Sequence, residues 1–221
     1  MHSAIGRKRR HGAIGRRQAA GRVAGLAILT ALSACGVFPQ VNEPVNLYTL
    51  TPKTTFSEGL RQVDWQLVVE MPVAAASIDT PRIALQRTPL TFEYYADAAW
   101  TDNAPAMVQT LLIESFESTR SIRAVGREAI GLRPDFILKT DLREFEAIYK
   151  DGSSAPTVWV RMNAKLVTMP ERRIIASETF GAQIPAASGA LTSVVAAFDE
   201  ALGKVLKQIV AFTLAAPEAA G

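Results

Sequence analysis

The chain has 221 residues, 48% of them hydrophobic and 20% charged, the make-up of an ordinary globular protein. Its formal charge of +3 is misleading, because seven of the 24 Lys and Arg (Arg7, Lys8, Arg9, Arg10, Arg16, Arg17 and Arg22) lie before residue 23, where there is no Asp or Glu. The remainder carries 17 basic against 21 acidic residues, a net charge of −4, which removes any general attraction to phosphate backbones and with it a nucleic-acid partner.

Residues 1–34 read as a targeting segment. A basic stretch leads into Val23–Leu32 (VAGLAILTAL), an apolar core of export length that is too short to span a bilayer permanently. It ends in Leu32-Ser33-Ala34-Cys35, the pattern of the bacterial lipobox, in which the thiol receives a diacylglyceryl group and the chain is cut before it. Several buried acyl chains anchor far better than one, since each CH₂ contributes about 0.8 kcal/mol. The alternative is an ordinary signal peptide with a chance cysteine. Arg16-Arg17 raises twin-arginine export, but Gln18-Ala19-Ala20 follow where apolar residues are expected, and the long basic region leaves room for a downstream start. Gly36 after the cysteine favours the outer membrane, where an Asp would favour retention at the inner one.

Residues 35–46 are expected to form a lipidated tether, extended by Pro39 and Pro44. Asn46–Thr51 is a short candidate strand, and Trp65–Met71 (WQLVVEM) has the near-continuous apolarity of a strand buried on both faces. Arg82–Arg87 and Leu90–Tyr95 predict two strands joined through Thr88-Pro89. Asp102 or Asn103 is expected to cap a helix with Pro105 in its first turn, whose stripe is Ala104, Met107, Val108, Leu111, Leu112, Ser115 and Phe116. Arg120–Val125 is another short strand candidate.

Phe136–Tyr149 predicts a long strand with a change of phase. Phe136, Leu138, Thr140 and Leu142 share one parity, Phe145, Ala147 and Tyr149 the other, so a bulge belongs near Arg143-Glu144. Val158–Leu166 alternates with Trp159, Arg161, Asn163 and Lys165, and Met169-Pro170-Glu171-Arg172 turns into a return strand, Ile174–Ile184. A second amphipathic helix is expected over Ser188–Phe212, then a disordered tail over 215–221. The fold class is α/β: one domain over residues 47–214, a mixed β-sheet with an antiparallel C-terminal hairpin and two main amphipathic helices packed on it.

The chemistry is limited. Both histidines, His2 and His11, fall in the leader, and the single cysteine is Cys35. Beyond the leader, His-based triads, Cys–His nucleophiles and Cys/His metal sites are excluded, and no phosphate-binding glycine motif is present. No catalytic residue, cofactor or metal is expected; the one bound group is the lipid on Cys35. Asp141, Glu144 and Glu146 are the carboxylates a hydrolase would use, but on a strand they read as a solvated face.

The order of these features resembles the ABC-type transport auxiliary lipoprotein family. The matching residues are Leu32–Cys35, Tyr48-Thr49-Leu50, Tyr94-Tyr95-Ala96-Asp97-Ala98-Ala99-Trp100 before Pro105, Phe136–Phe145, and Ala196-Ala197-Phe198. The resemblance implies a non-catalytic subunit, anchored at the periplasmic face of the outer membrane. Its implied partners are a mammalian-cell-entry (MCE) domain protein and an ABC permease and ATPase that move phospholipid between membranes. It would tether or cap the conduit and support membrane integrity, with a ring-like homo-oligomer as one form it can take. A structural envelope lipoprotein that assists assembly of an outer-membrane complex is the rival reading. Tyr94, Tyr95 and Trp100 are the candidate partner or lipid surface, set against their packing of the helix start onto the sheet.

Overall fold

The computed structural model describes residues 45–128, 133–150 and 152–216. Among them are nine strands and two long helices, in the expected order with β3 as an unforeseen addition: β1 (Asn46–Tyr48), β2 (Val63–Val69), β3 (Val73–Ala74), β4 (Arg82–Gln86), β5 (Glu93–Trp100), α1 (Ala104–Thr119), β6 (Ile122–Gly126), β7 (Phe136–Ile148), β8 (Thr157–Thr168), β9 (Ile174–Pro185) and α2 (Leu191–Ala215).

All nine strands form one mixed sheet with β7 as its spine. On one side β7 pairs along its whole length with antiparallel β8, which pairs with β9. On the other it serves three parallel partners in series: β2 at Phe136–Leu138, β3 at Asp141–Leu142 and β4 at Ala147–Ile148. β6 extends the sheet beyond β2, and β5 with β1 extends it beyond β4. The expected bulge is there: Leu142 opposes Met162 and Glu144 opposes Arg161, so Arg143 is the extra residue. That slip keeps Leu142 and Phe145 on one face although three positions separate them.

Both helices cover that face. Leu138, Leu142, Phe145, Val158, Val160, Met162 and Leu166 meet Met107, Leu112 and Phe116 of α1 and Val194, Phe198, Leu202, Val205 and Ile209 of α2 in a single core. Trp100, Phe145 and Phe198 sit at its centre with ring centroids 5.0 to 5.7 Å apart, in tilted and edge-to-face arrangements. Such pairs contribute about 0.5–1.5 kcal/mol beyond the area they bury. The polar stretch after β1 crosses both helices: the Thr51 N–H and hydroxyl donate to Asp199 of α2, the Lys53 N–H to Ser115 of α1, and Arg61 to the Ala216 carbonyl.

Three expectations need correction. β2 begins at Val63, and only its C-terminal half is covered on both faces, where Val68 joins Ile137 and Val167 in a small second cluster. The second strand of the β4–β5 pair is not Leu90–Tyr95 but runs to Trp100. It contains a bulge, since Ala84 opposes Tyr94 while Arg82 opposes Ala99, and Asp97 in the surplus has a left-handed φ of 52°. Asn103 holds the cap position of α1 without a side-chain cap: its amide donates to Asp79, and Asp102 accepts from the Asn103 N–H. β9 carries a further bulge near Ile175, and the turn before it contains a cis Met169-Pro170 bond.

Candidate interaction surface

Leu32, Ser33, Ala34 and Cys35, most of the tether, and the tail from 217 lie outside the described residues. Among the described residues no helix is long and apolar enough to cross a membrane, and no group of three or more His, Cys, Asp or Glu could hold a metal ion.

The aromatic group proposed from the sequence divides in two. Trp100 is 1% exposed and belongs to the core, so it is not part of a surface. The β5 bulge is the cause, because it turns both Tyr95 and Trp100 inward although they are five positions apart. Tyr95 is half-buried, with its hydroxyl 2.9 Å from that of Tyr149. Burial, then this bond, holds the Tyr95 phenol well above its usual range, so it stays protonated. Tyr94 points the other way, donates to the Ser77 carbonyl and carries the Arg82 guanidinium 3.8 Å over its ring.

Tyr94 lies on the sheet face that no helix covers. Alternation from the buried Val158, Val160, Met162 and Ala164 places Trp159, Arg161, Asn163 and Lys165 there. One row runs across five strands. Tyr94 pairs with Ala84, which precedes Leu85, the partner of Ala147; Glu146 pairs with Trp159, and Trp159 with Gln183. The next rows are Glu144–Arg161–Gly181 and Asp141–Asn163–Thr179.

The carboxylates do not behave alike. Asp141 is solvated and takes Lys165 at 2.8 Å, with Arg143 at 3.8 Å. Glu144 forms an ion pair with Arg161, whose guanidinium lies 5.3 Å from the Trp159 ring. Glu146 departs from the expected solvated face: it is 1% exposed, and its Oε2 accepts from the Phe145 N–H at 2.5 Å. Burial pushes its carboxyl up to about 8, and a hydrogen bond with Glu144 adds to this, while the Phe145 N–H and the Arg161 charge oppose it. Near neutral pH, Glu146 therefore keeps its proton. Asn163 is 6% exposed and gives its amide to the Glu178 carbonyl and the Thr179 hydroxyl, leaving its own oxygen without a partner among the described residues.

This face offers a flat polar sheet with two aromatic rings and paired charges. Its alternation was visible in β8, but Trp159 and Arg161 were not singled out there. The cavities elsewhere include one of about 460 Å³ between the β4–β5 connection and the end of β7, and one of about 540 Å³ beside Phe180 and Phe212.

A family model described as the ABC-type transport auxiliary lipoprotein component matches residues 48–210. An uncharacterized protein of Bradyrhizobium diazoefficiens is 28% identical over 175 residues, covering 76% of this chain and 45% of that protein, so the chain spans less than half the length of this curated relative. A crystal structure of a Xanthomonas campestris protein is 37% identical, with a TM-score of 0.72 over 76% of this chain and 94% of that one. A second crystal structure, of an uncharacterized protein, is 16% identical with a TM-score of 0.55, covers 78% of this chain and 95% of that one, and shares the fold alone.

Proposed function

The chain belongs to the ABC-type transport auxiliary lipoprotein component family, and on that premise we propose that it is a non-catalytic, lipid-anchored subunit of an ABC/MCE-type intermembrane phospholipid transport system. It is held at the periplasmic face of the outer membrane by diacylglyceryl and acyl chains on Cys35, and tethers or caps the outer end of the conduit. The observation that carries the reading is the family match, which runs from β1 into α2, beside a lipobox in register with the export signal. An open sheet face of ion pairs and rings supports a docking role over a chemical one.

The test is crosslinking in membranes, pull-down of the full-length lipoprotein, and mass spectrometry of captured proteins and lipids. Recovery of an MCE-domain protein with a permease and ATPase is expected, and deletion should sensitise cells to detergent. Capture of an outer-membrane β-barrel or peptidoglycan instead would move the assignment to envelope assembly. Labelled fatty acid should enter the protein and be lost in Cys35→Ser; unchanged membrane attachment of that variant would refute the anchor.

A further inference from the structure

One end of the sheet collects three features. The first is an apolar tip. β4 and β5 are joined by Arg87–Phe92, where the Thr91 N–H donates to the Thr88 carbonyl at 3.2 Å and the two threonine hydroxyls lie 2.7 Å apart. Pro89 and Leu90 project from this turn, and Leu90 is 97% exposed, against 52–68% for the other exposed large apolar residues described. A lone exposed leucine needs no explanation; its surroundings here do.

The second feature is positive charge at the base of the tip. β4 ends at Gln86 beside Ile148, where β7 also ends, so the tip and the start of the β7–β8 connection stand side by side. Arg87 and Lys150 line the 460 Å³ cavity between them, together with Tyr149. Arg87 lies 4.7 Å from the Tyr149 ring and 3.6 Å from Glu93, while Lys150 has no ion-pair partner among the described residues.

The third is the direction of the chain. β1 runs parallel to β5, with Asn46 beside Ala98 and Tyr48 beside Trp100. β1 therefore begins on the side from which β5 starts, which is the side of the tip. Ten residues, Gly36 to Val45, separate the lipobox cysteine from β1, and fully extended they reach at most about 33–36 Å. From Ala98 to the tip is about 20–25 Å at the usual rise of a strand. An anchor at Cys35 therefore permits this end of the sheet to touch the bilayer that holds it.

We propose that the Pro89–Leu90 tip seats the domain on the phospholipid surface, with Leu90 entering the boundary between headgroups and acyl chains and Arg87 and Lys150 meeting headgroup phosphates. The inference rests on the lipid anchor described under Proposed function. An exposed leucine loses its contact with water on entry, long cationic side chains keep their heads among the phosphates, and an anionic surface attracts them. The tip thereby fixes the orientation of the domain, which an anchor on a flexible tether alone leaves free.

The test uses full-length lipidated protein in vesicles of phosphatidylethanolamine and phosphatidylglycerol. Its only native cysteine is blocked by lipid, so Leu90→Cys supplies one thiol for an environment-sensitive fluorophore, and Glu171→Cys, in the β8–β9 turn at the far end, supplies the control. The Leu90→Cys probe is expected to shift to the blue and be quenched by brominated lipid, with the control unchanged. Arg87→Glu with Lys150→Glu should reduce that quenching. A probe at Leu90→Cys that stays as wet as the control, in protein that floats with the vesicles, overturns the seating while leaving the anchor intact. Quenching of both probes alike overturns it too, and protein that does not float overturns anchor and seating together.

Discussion

Phe145 and Glu146 adjoin in β7 and both are almost fully buried, yet opposite means bury them. Phe145 is enclosed by Trp100 and Phe198 from a different strand and a different helix. Glu146 faces away from the helices and is covered by neighbours on the sheet itself: Trp159 opposite, and the Glu144–Arg161 pair one row along. The first kind of burial removes apolar surface from water. The second takes a carboxyl out of water and leaves it uncharged over part of the pH range. The helix side therefore carries stability, and the open side carries adjustable electrostatics.

The hardest blow to this contrast is on the helix side. Trp100→Ala, or Phe198→Ala, should cost about 3–5 kcal/mol in urea unfolding, because each ring touches both others and the void cannot collapse. A loss below about 1 kcal/mol would mean that the three rings are not the centre of the core.

On the open side the expected effect depends on pH. The folded Glu146 carboxyl is raised from 4.5 to about 8. Between these values the unfolded chain has released the proton that the folded chain keeps, so stability declines as pH rises from about 4.5 to about 8, by on the order of a few kcal/mol. Below 4.5 both states are protonated and the group contributes no slope. Glu146→Gln keeps an acceptor for the Phe145 N–H and a donor toward Glu144, so it should match the native protein near pH 5 and exceed it near pH 8. Thermal unfolding at the two pH values checks this, and equal slopes for both proteins would contradict it.

Smaller still is the Glu144–Arg161 pair, with both side chains partly exposed. A double-mutant cycle with Glu144→Ala and Arg161→Ala should return about 1 kcal/mol of coupling at low salt, shrinking as salt is added. Asp141 and Lys165 mark the lower bound: each is about a third exposed, and their cycle should give no more than about 0.5 kcal/mol. A larger coupling at Asp141 than at Glu144 would reverse the ranking drawn from exposure.

Much of this was legible before any coordinates, for local reasons. The phase change between Leu142 and Phe145 located the β7 bulge, and the stripe of α1 named its buried face, because period and parity are properties of a few adjacent residues. The β5 bulge was not legible. The segment Tyr94–Trp100 (YYADAAW) has too little contrast between large apolar and polar positions to show a phase change, and Asp97 merely tolerates the left-handed φ. The same gap allowed Trp100 to be weighed as surface. β3 is two residues long and exists only because β7 offers it an edge. Glu146 was read as solvated because alternation assigns a side but not its neighbours, and those come from strands remote in sequence. The open face is hence a tertiary object, visible only once β7, β8 and β9 are in register.

The surplus residue in β7 has one more consequence. Removing a residue from the middle of a central strand ordinarily turns everything downstream inside out. Arg143 is the exception, because Leu142 and Glu144 already face consecutive residues of β8 across it. Its loss would close the ladder with each remaining pair intact, straightening the strand without exchanging oil for water. A shortened chain missing Arg143 is expected to fold, whereas one missing Thr140 is not, which makes this the natural place for the spine of the sheet to change length.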